Sequence, residues 1–176
     1  MKKSNFRFFA ALLLLFGCSG NEKPRTFQSG SYFDSKTYFK AEAARLSKLS
    51  PKVSKCVEVN KLSETRRMKI ADWNKEFNSF VEAGINRTSW KGLFTVQKSG
   101  ESTTYKSVDE KIPVKKLIVI LKERKVIGIK VFVQNKNLLY ASTDSLIYFP
   151  DSLYQIKKYQ NIRFLTNKTF SITGRF

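Results

Sequence analysis

Between residues 35 and 49 the apolar positions recur at helical spacing. Phe39, Ala43, Leu46 and Leu49 share one arc, and Lys36, Lys40, Arg45 and Lys48 share the opposite one, which predicts an amphipathic helix. Asp34 or Ser35 caps its start and Pro51 stops it. A second helix is predicted from an N-cap at Asp72 to a stop at Gly84, with Trp73, Phe77, Phe80 and Val81 at i, i+4, i+7 and i+8. Its stripe is bulky and aromatic, which suits a helix packed across a sheet. Between the two helices, residues 53–60 and 65–70 read as strands around the turn Lys-Leu-Ser-Glu.

From residue 93 the pattern changes to short strands and short turns. Segments 93–97 and 103–107 flank Lys-Ser-Gly-Glu-Ser, and segments 116–121 and 126–133 flank Lys-Glu-Arg-Lys. Asn135-Lys136-Asn137 and Phe149-Pro150-Asp151 mark further reversals, and strands at 154–159, 162–165 and 169–173 finish the chain. Strands joined by short turns run antiparallel, because parallel pairing needs long crossovers. The expected class is therefore α+β: two helices in the N-terminal half, packed on a mostly antiparallel, curled sheet. Residues 117–121 are apolar at every position, not alternately. A strand apolar on both faces is covered on both faces. One side takes the helices, and the other meets more of a curled sheet, an apolar ligand or a membrane.

The N-terminus has a different grammar. Lys2, Lys3 and Arg7 precede an apolar run at 8–16, followed by Gly17-Cys18-Ser19-Gly20, which is the layout of a secretory signal. The run is shorter than the roughly 20 residues a spanning helix needs. Leu15-Phe16-Gly17-Cys18 resembles a bacterial lipobox. The resemblance implies a diacylglyceryl group on Cys18, recognition of Leu15, Phe16 and Gly17 by the signal peptidase, and cleavage just before the cysteine. Two or more acyl chains give stable anchoring where one gives marginal binding. Ser19 after the cysteine, in place of the inner-membrane aspartate, implies the outer membrane, and the absence of an acidic cluster at 19–23 implies a periplasmic face. The expected organisation is a signal peptide at 1–17, the lipidated cysteine and a polar tether at 18–31, and one α+β domain at 32–176.

Charge and composition then narrow the chemistry. There are 33 Lys and Arg, 14 Asp and Glu and no histidine, a formal net charge of +19. The bases fall in ones and twos, with no long block. Export removes nucleic acid from the partner list. What remains is the membrane itself, through Cys18, and an anionic envelope component or a protein partner. The missing histidine excludes Ser–His and Cys–His nucleophile activation and leaves no expected metal site or cofactor. With Cys18 lipidated, Cys56 has no disulfide partner and reads as a half-buried thiol in a strand. Paired carboxylates remain a catalytic option, but Asp109, Glu110, Glu123, Asp144 and Asp151 show no arrangement that points one at another. No catalytic residue is assigned.

Two further segments carry candidate roles. The aromatic stretch 140–154 offers Tyr140, Tyr148, Phe149 and Tyr154 as a candidate binding surface, though such residues are also good strand formers. Asp-Ser-Leu occurs at 144–146 and 151–153 and resembles the O-glycan acceptor of exported Bacteroidetes proteins, against a plain turn-forming role. The lipobox, the helix-then-sheet order and the stretches 137–140 and 148–154 together resemble small Bacteroidetes lipoproteins. That resemblance brings no activity with it. The expected function is a lipid-anchored, non-catalytic binding or interaction module. The alternatives are a carrier or sensor of a small apolar ligand held against the sheet and, behind it, a carboxylate enzyme acting on glycan.

Overall fold

The structure is a computed structural model and describes residues 32–176. The signal peptide, Leu15, Phe16, Gly17, Cys18 and the tether lie outside the described residues. Helix α1 (Ser35–Leu49) starts where expected, with Asp34 accepting a hydrogen bond from the Thr37 N–H at 3.0 Å. A hairpin of β1 (Lys52–Val59) and β2 (Leu62–Lys69) follows. Two short helices, α2 (Trp73–Glu76) and α3 (Asn78–Glu82), and a 3-10 turn at Thr88–Trp90 lead into the remaining strands. These are β3 (Phe94–Ser99), β4 (Ser102–Ser107), β5 (Val114–Lys122), β6 (Lys125–Lys136), β7 (Tyr140–Phe149), β8 (Leu153–Ile162) and β9 (Lys168–Arg175).

All nine strands form one antiparallel sheet in the order β2-β1-β9-β8-β7-β6-β5-β4-β3. From β3 to β9 each strand pairs with the next in sequence, as short turns require. The long-range step is β9 against β1, from Ser54↔Arg175 to Val59↔Phe170. It brings the end of the chain beside its beginning. The described residues are thus mainly β, with a layer of three α-helices on the sheet.

Several expected boundaries shift, each for a local reason. The turn between β1 and β2 is Asn60-Lys61, both at positive φ (47° and 73°), so β2 begins at Leu62 and takes in residues expected to form the turn. Two central residues in the left-handed region match the right-handed twist of the flanking strands. The second helix is not continuous. It breaks at Phe77 (φ −92°, ψ 5°), and the break allows Trp73, Phe77 and Phe80 all to reach full burial. The strand expected at 162–165 does not exist, because β8 runs unbroken to Ile162 and a turn follows, with the Leu165 N–H bonded to the Ile162 carbonyl.

The core lies between the helices and one face of the sheet. Phe39 packs against Phe77, Phe80 and Tyr148, and Trp73 stacks on the C-terminal Phe176 at 5.7 Å between ring centroids. Leu117, Val119, Ile129, Val131 and Leu146 supply the sheet side and are almost fully buried. Within α1 the buried arc is Phe39, Glu42, Ala43 and Leu46, while Leu49, expected in the stripe, is 61 % exposed.

Candidate functional site

Period-two alternation gives every strand two faces, and the register carries each face across the sheet. The helix-facing row through the centre is Ile129↔Tyr148↔Tyr154↔Gly174↔Lys55. Tyr148 and Tyr154 are cross-strand partners on adjacent strands, and each reaches up to a different helix. The Tyr148 hydroxyl donates to Oε1 of Glu42 on α1, and the Tyr154 hydroxyl donates to Oε1 of Glu76 on α2 at 2.7 Å. Arg45 also holds Glu42, through Nε to Oε2 at 3.0 Å, and reaches Asp151 at 2.7 Å. Lys55 Nζ holds the second oxygen of Glu76 at 2.7 Å. Both helices are therefore fastened to the β7–β8 hairpin by a tyrosine–glutamate pair with a cation behind it. Buried polar groups need such partners, and an unpaired one costs about 1–3 kcal/mol.

This geometry corrects the proposed aromatic surface. Tyr148 and Tyr154 are wholly buried and fasten helices, so they present no stacking face. Tyr140 lies on the same face further along β7, where its hydroxyl accepts from Gln160 at 3.1 Å. Phe149 alone points to the opposite face of the sheet. The four residues do not form one surface. Of the candidate carboxylates, Asp151 is bonded to Arg45 and Asp144 lies under Lys158 at 3.0 Å, with its other oxygen buried and unpartnered among the described residues. Asp109 and Glu110 line an open cleft of about 620 Å³ with Lys111, Lys115 and Lys136.

The phenols of Tyr148 and Tyr154 are held well above the usual tyrosine range, by burial first and by Glu42 and Glu76 second. Tyr38 is raised too, by burial and then by Glu42. In the unfolded chain these groups titrate near pH 10. Above that pH the unfolded chain loses protons the folded one keeps, so stability falls as pH rises; below it the contribution is fully present. The urea midpoint is expected to stay level between about pH 7 and 9 and to fall beyond about 10. The Tyr148→Phe/Tyr154→Phe variant should lose part of that alkaline slope. An identical slope in the variant would remove these tyrosines as its cause.

The opposite face of the sheet is the candidate functional surface. No described residue covers it. Apart from Gly128, which lies under the Phe149 ring, none of its strand residues is fully buried. One row runs Cys56↔Thr173↔Gln155↔Ile147↔Lys130↔Ile118↔Thr104. The next runs Glu58↔Ser171↔Lys157↔Ser145↔Phe132↔Lys116↔Lys106. A third holds Arg67↔Ser54↔Arg175↔Leu153↔Phe149 and, across β6, Ile120 beside Gly128. Glu58 is the one acid at these strand positions, whereas Arg67, Lys106, Lys116, Lys130, Lys157 and Arg175 all point this way. The acids Glu42, Glu64, Glu76 and Asp144 lie on the helix side. The acids thus avoid this face, while bases stand on both sides of the sheet, among them the exposed Lys36, Lys40 and Lys48 of α1. Ser145 of the first Asp-Ser-Leu segment also sits here, inside β7 and paired on both edges, while Ser152 of the second is exposed in the turn after it.

Sequence reasoning missed this face and the buried role of Glu42. Glu42 lies three residues from Phe39 and four from Leu46, so its place within the buried arc was readable. Comparison with known proteins gives no match to a family profile, to a curated protein or to a solved structure. The site therefore defines the protein only by class: a helix-backed antiparallel sheet with one bare, basic and partly apolar face.

Proposed function

We propose that this is a lipid-anchored, non-catalytic envelope protein that acts as a binding module at the periplasmic side of the outer membrane, with the bare sheet face as its contact surface. The observation that carries the reading is the segregation of the acids. Lysines and arginines line the uncovered face, and buried carboxylates fasten the helices to the other. A surface of this kind attracts anionic envelope components and excludes cationic ones. The lipobox sequence at 15–18 supplies the anchor and the address.

The test is in-cell crosslinking followed by recovery of the anchored protein, beside a Cys18→Ala control. One envelope component recovered with the anchored form, and lost when Lys116, Lys130 and Lys157 become glutamate, is the expected result. Turnover of an envelope polymer by the purified protein would overturn the non-catalytic reading. Carriage of a small apolar ligand is a second reading, favoured by Ile118, Ile120, Phe132 and Ile147 on the same face. Native mass spectrometry of protein taken directly from cells decides it, since a bare mass counts against a carried ligand.

A further inference from the structure

We propose that the bare face seats on an anionic lipid headgroup layer, with its lysines at the phosphates and its apolar side chains against the glycerol and upper acyl region. The inference rests on the binding-module reading and names its partner. Charge complementarity is the first argument: the strand positions of this face set many bases against Glu58 alone. Each Lys or Arg near an anionic leaflet contributes about 1 kcal/mol.

The groups between the lysines are the second argument. Among them, beside Ser54, Ser145, Gln155, Ser171 and Thr173, lie the large apolar side chains Ile118, Ile120, Phe132, Ile147, Phe149 and Leu153, each partly exposed. They gain burial only against something apolar beneath the charged layer. The lysines are arranged to match. Lys116 Nζ stands 5.3 Å above the Phe132 ring and Lys130 Nζ stands 5.9 Å above the Phe149 ring. Each ammonium thus rests beside an apolar ring, the pairing of charged head and apolar neighbour that long cationic side chains adopt at a membrane interface.

Reach is the third argument. The described chain begins at Tyr32, packed on Phe94 at the β3 edge of the sheet. The residues from Cys18 to Ser31 span up to about 45–50 Å at 3.3–3.6 Å each. A sheet with one helical layer is about 20 Å thick. The anchor therefore permits this face to turn onto the bilayer.

Cys56 lies in the central row of the face and provides the probe. Lipid on Cys18 leaves it the sole free thiol, since the chain has two cysteines. The full lipoprotein, its anchor verified by intact mass, is labelled at Cys56 with a polarity-sensitive fluorophore and reconstituted into vesicles. The expected result is a blue shift in vesicles containing phosphatidylglycerol and none in pure phosphatidylcholine. A label moved to α1, as Cys56→Ser with Lys40→Cys, should stay unshifted. Neutralising Lys116, Lys130 and Lys157 as glutamine should lower the seated-to-unseated ratio roughly 100-fold, at about fivefold per lysine. Neutralising Lys36, Lys40 and Lys48 on α1 should leave it unchanged. Equal loss in the two triple variants would overturn the proposal, because the attraction would then come from total charge. No shift on anionic vesicles, with a shift on adding inorganic polyphosphate, would overturn the lipid surface and keep the binding-module reading. A probe that answers to neither would bring down both.

Discussion

Gly174→Ala is expected to destabilise the domain by about 3–5 kcal/mol and to lower the melting temperature by roughly 10 °C. Gly174 lies in β9 opposite Tyr154, and the tyrosine ring crosses directly over it on the way to Glu76. A Cβ at this position would overlap the hydroxyl-bearing edge of the ring, 2.5 Å from its hydroxyl oxygen. The ring has no free direction to take. Trp73 lies at its edge at 6.0 Å and Phe77 at 5.8 Å, both between ring centroids. The clash therefore displaces the aromatic cluster and breaks the Tyr154–Glu76 hydrogen bond, leaving Glu76 with Lys55 alone. Thermal unfolding followed by circular dichroism measures the loss. The control is the pair Tyr154→Ala and Tyr154→Ala/Gly174→Ala. With the ring gone, the extra methyl should cost little, so the double variant should match the single one. Additive losses would show that Gly174 matters for some reason other than the Tyr154 ring.

Glu42→Ala is expected to cost about 3 kcal/mol. Glu42 is the one carboxylate in the buried arc of α1, and it accepts from both Tyr148 and Arg45. Its removal strands the Tyr148 hydroxyl in the interior and leaves Arg45 with Asp151, which is largely exposed. Glu42→Gln keeps an acceptor for Tyr148 and should cost less. Urea denaturation with an unchanged slope reports the difference as stability. In a cycle with Tyr148→Phe, the two losses should sum to more than the double variant shows, because the two groups serve one contact. Strict additivity would mean that α1 is held to the sheet by its apolar arc alone.

What was readable in advance was local. Helix α1 was legible to its cap because its signals, Asp34 before the apolar arc and Pro51 after it, act within a few residues. The turns around Gly100 and Glu123-Arg124 were legible for the same reason, and so was the antiparallel run of the later strands. The break at Phe77 was not. It yields to the need of three large aromatic residues to reach one core, a tertiary demand that overrides helical spacing. The turn at Asn60-Lys61 was placed too late, because Leu62 and Ser63 carry no strong strand signal of their own and gain their place by pairing with Val59 and Glu58.

The amino-acid sequence by itself determined the order of the elements, the antiparallel connectivity and the excess of positive charge, all of which are properties of composition or of neighbours along the chain. It also determined that Tyr148 and Phe149 point to opposite faces, since alternation is a covalent fact of a strand. Which face the helices cover was decided by the tertiary structure. That choice turned Tyr148 and Tyr154 from surface candidates into buried fasteners and left Phe149 outside. The pairing of β9 with β1, and the meeting of Arg67, Lys106, Lys116, Lys130, Lys157 and Arg175 on one bare face, were decided there too. Residues far apart in sequence become neighbours only through hydrogen-bond register, and nothing in the spacing of charges along the chain encodes it.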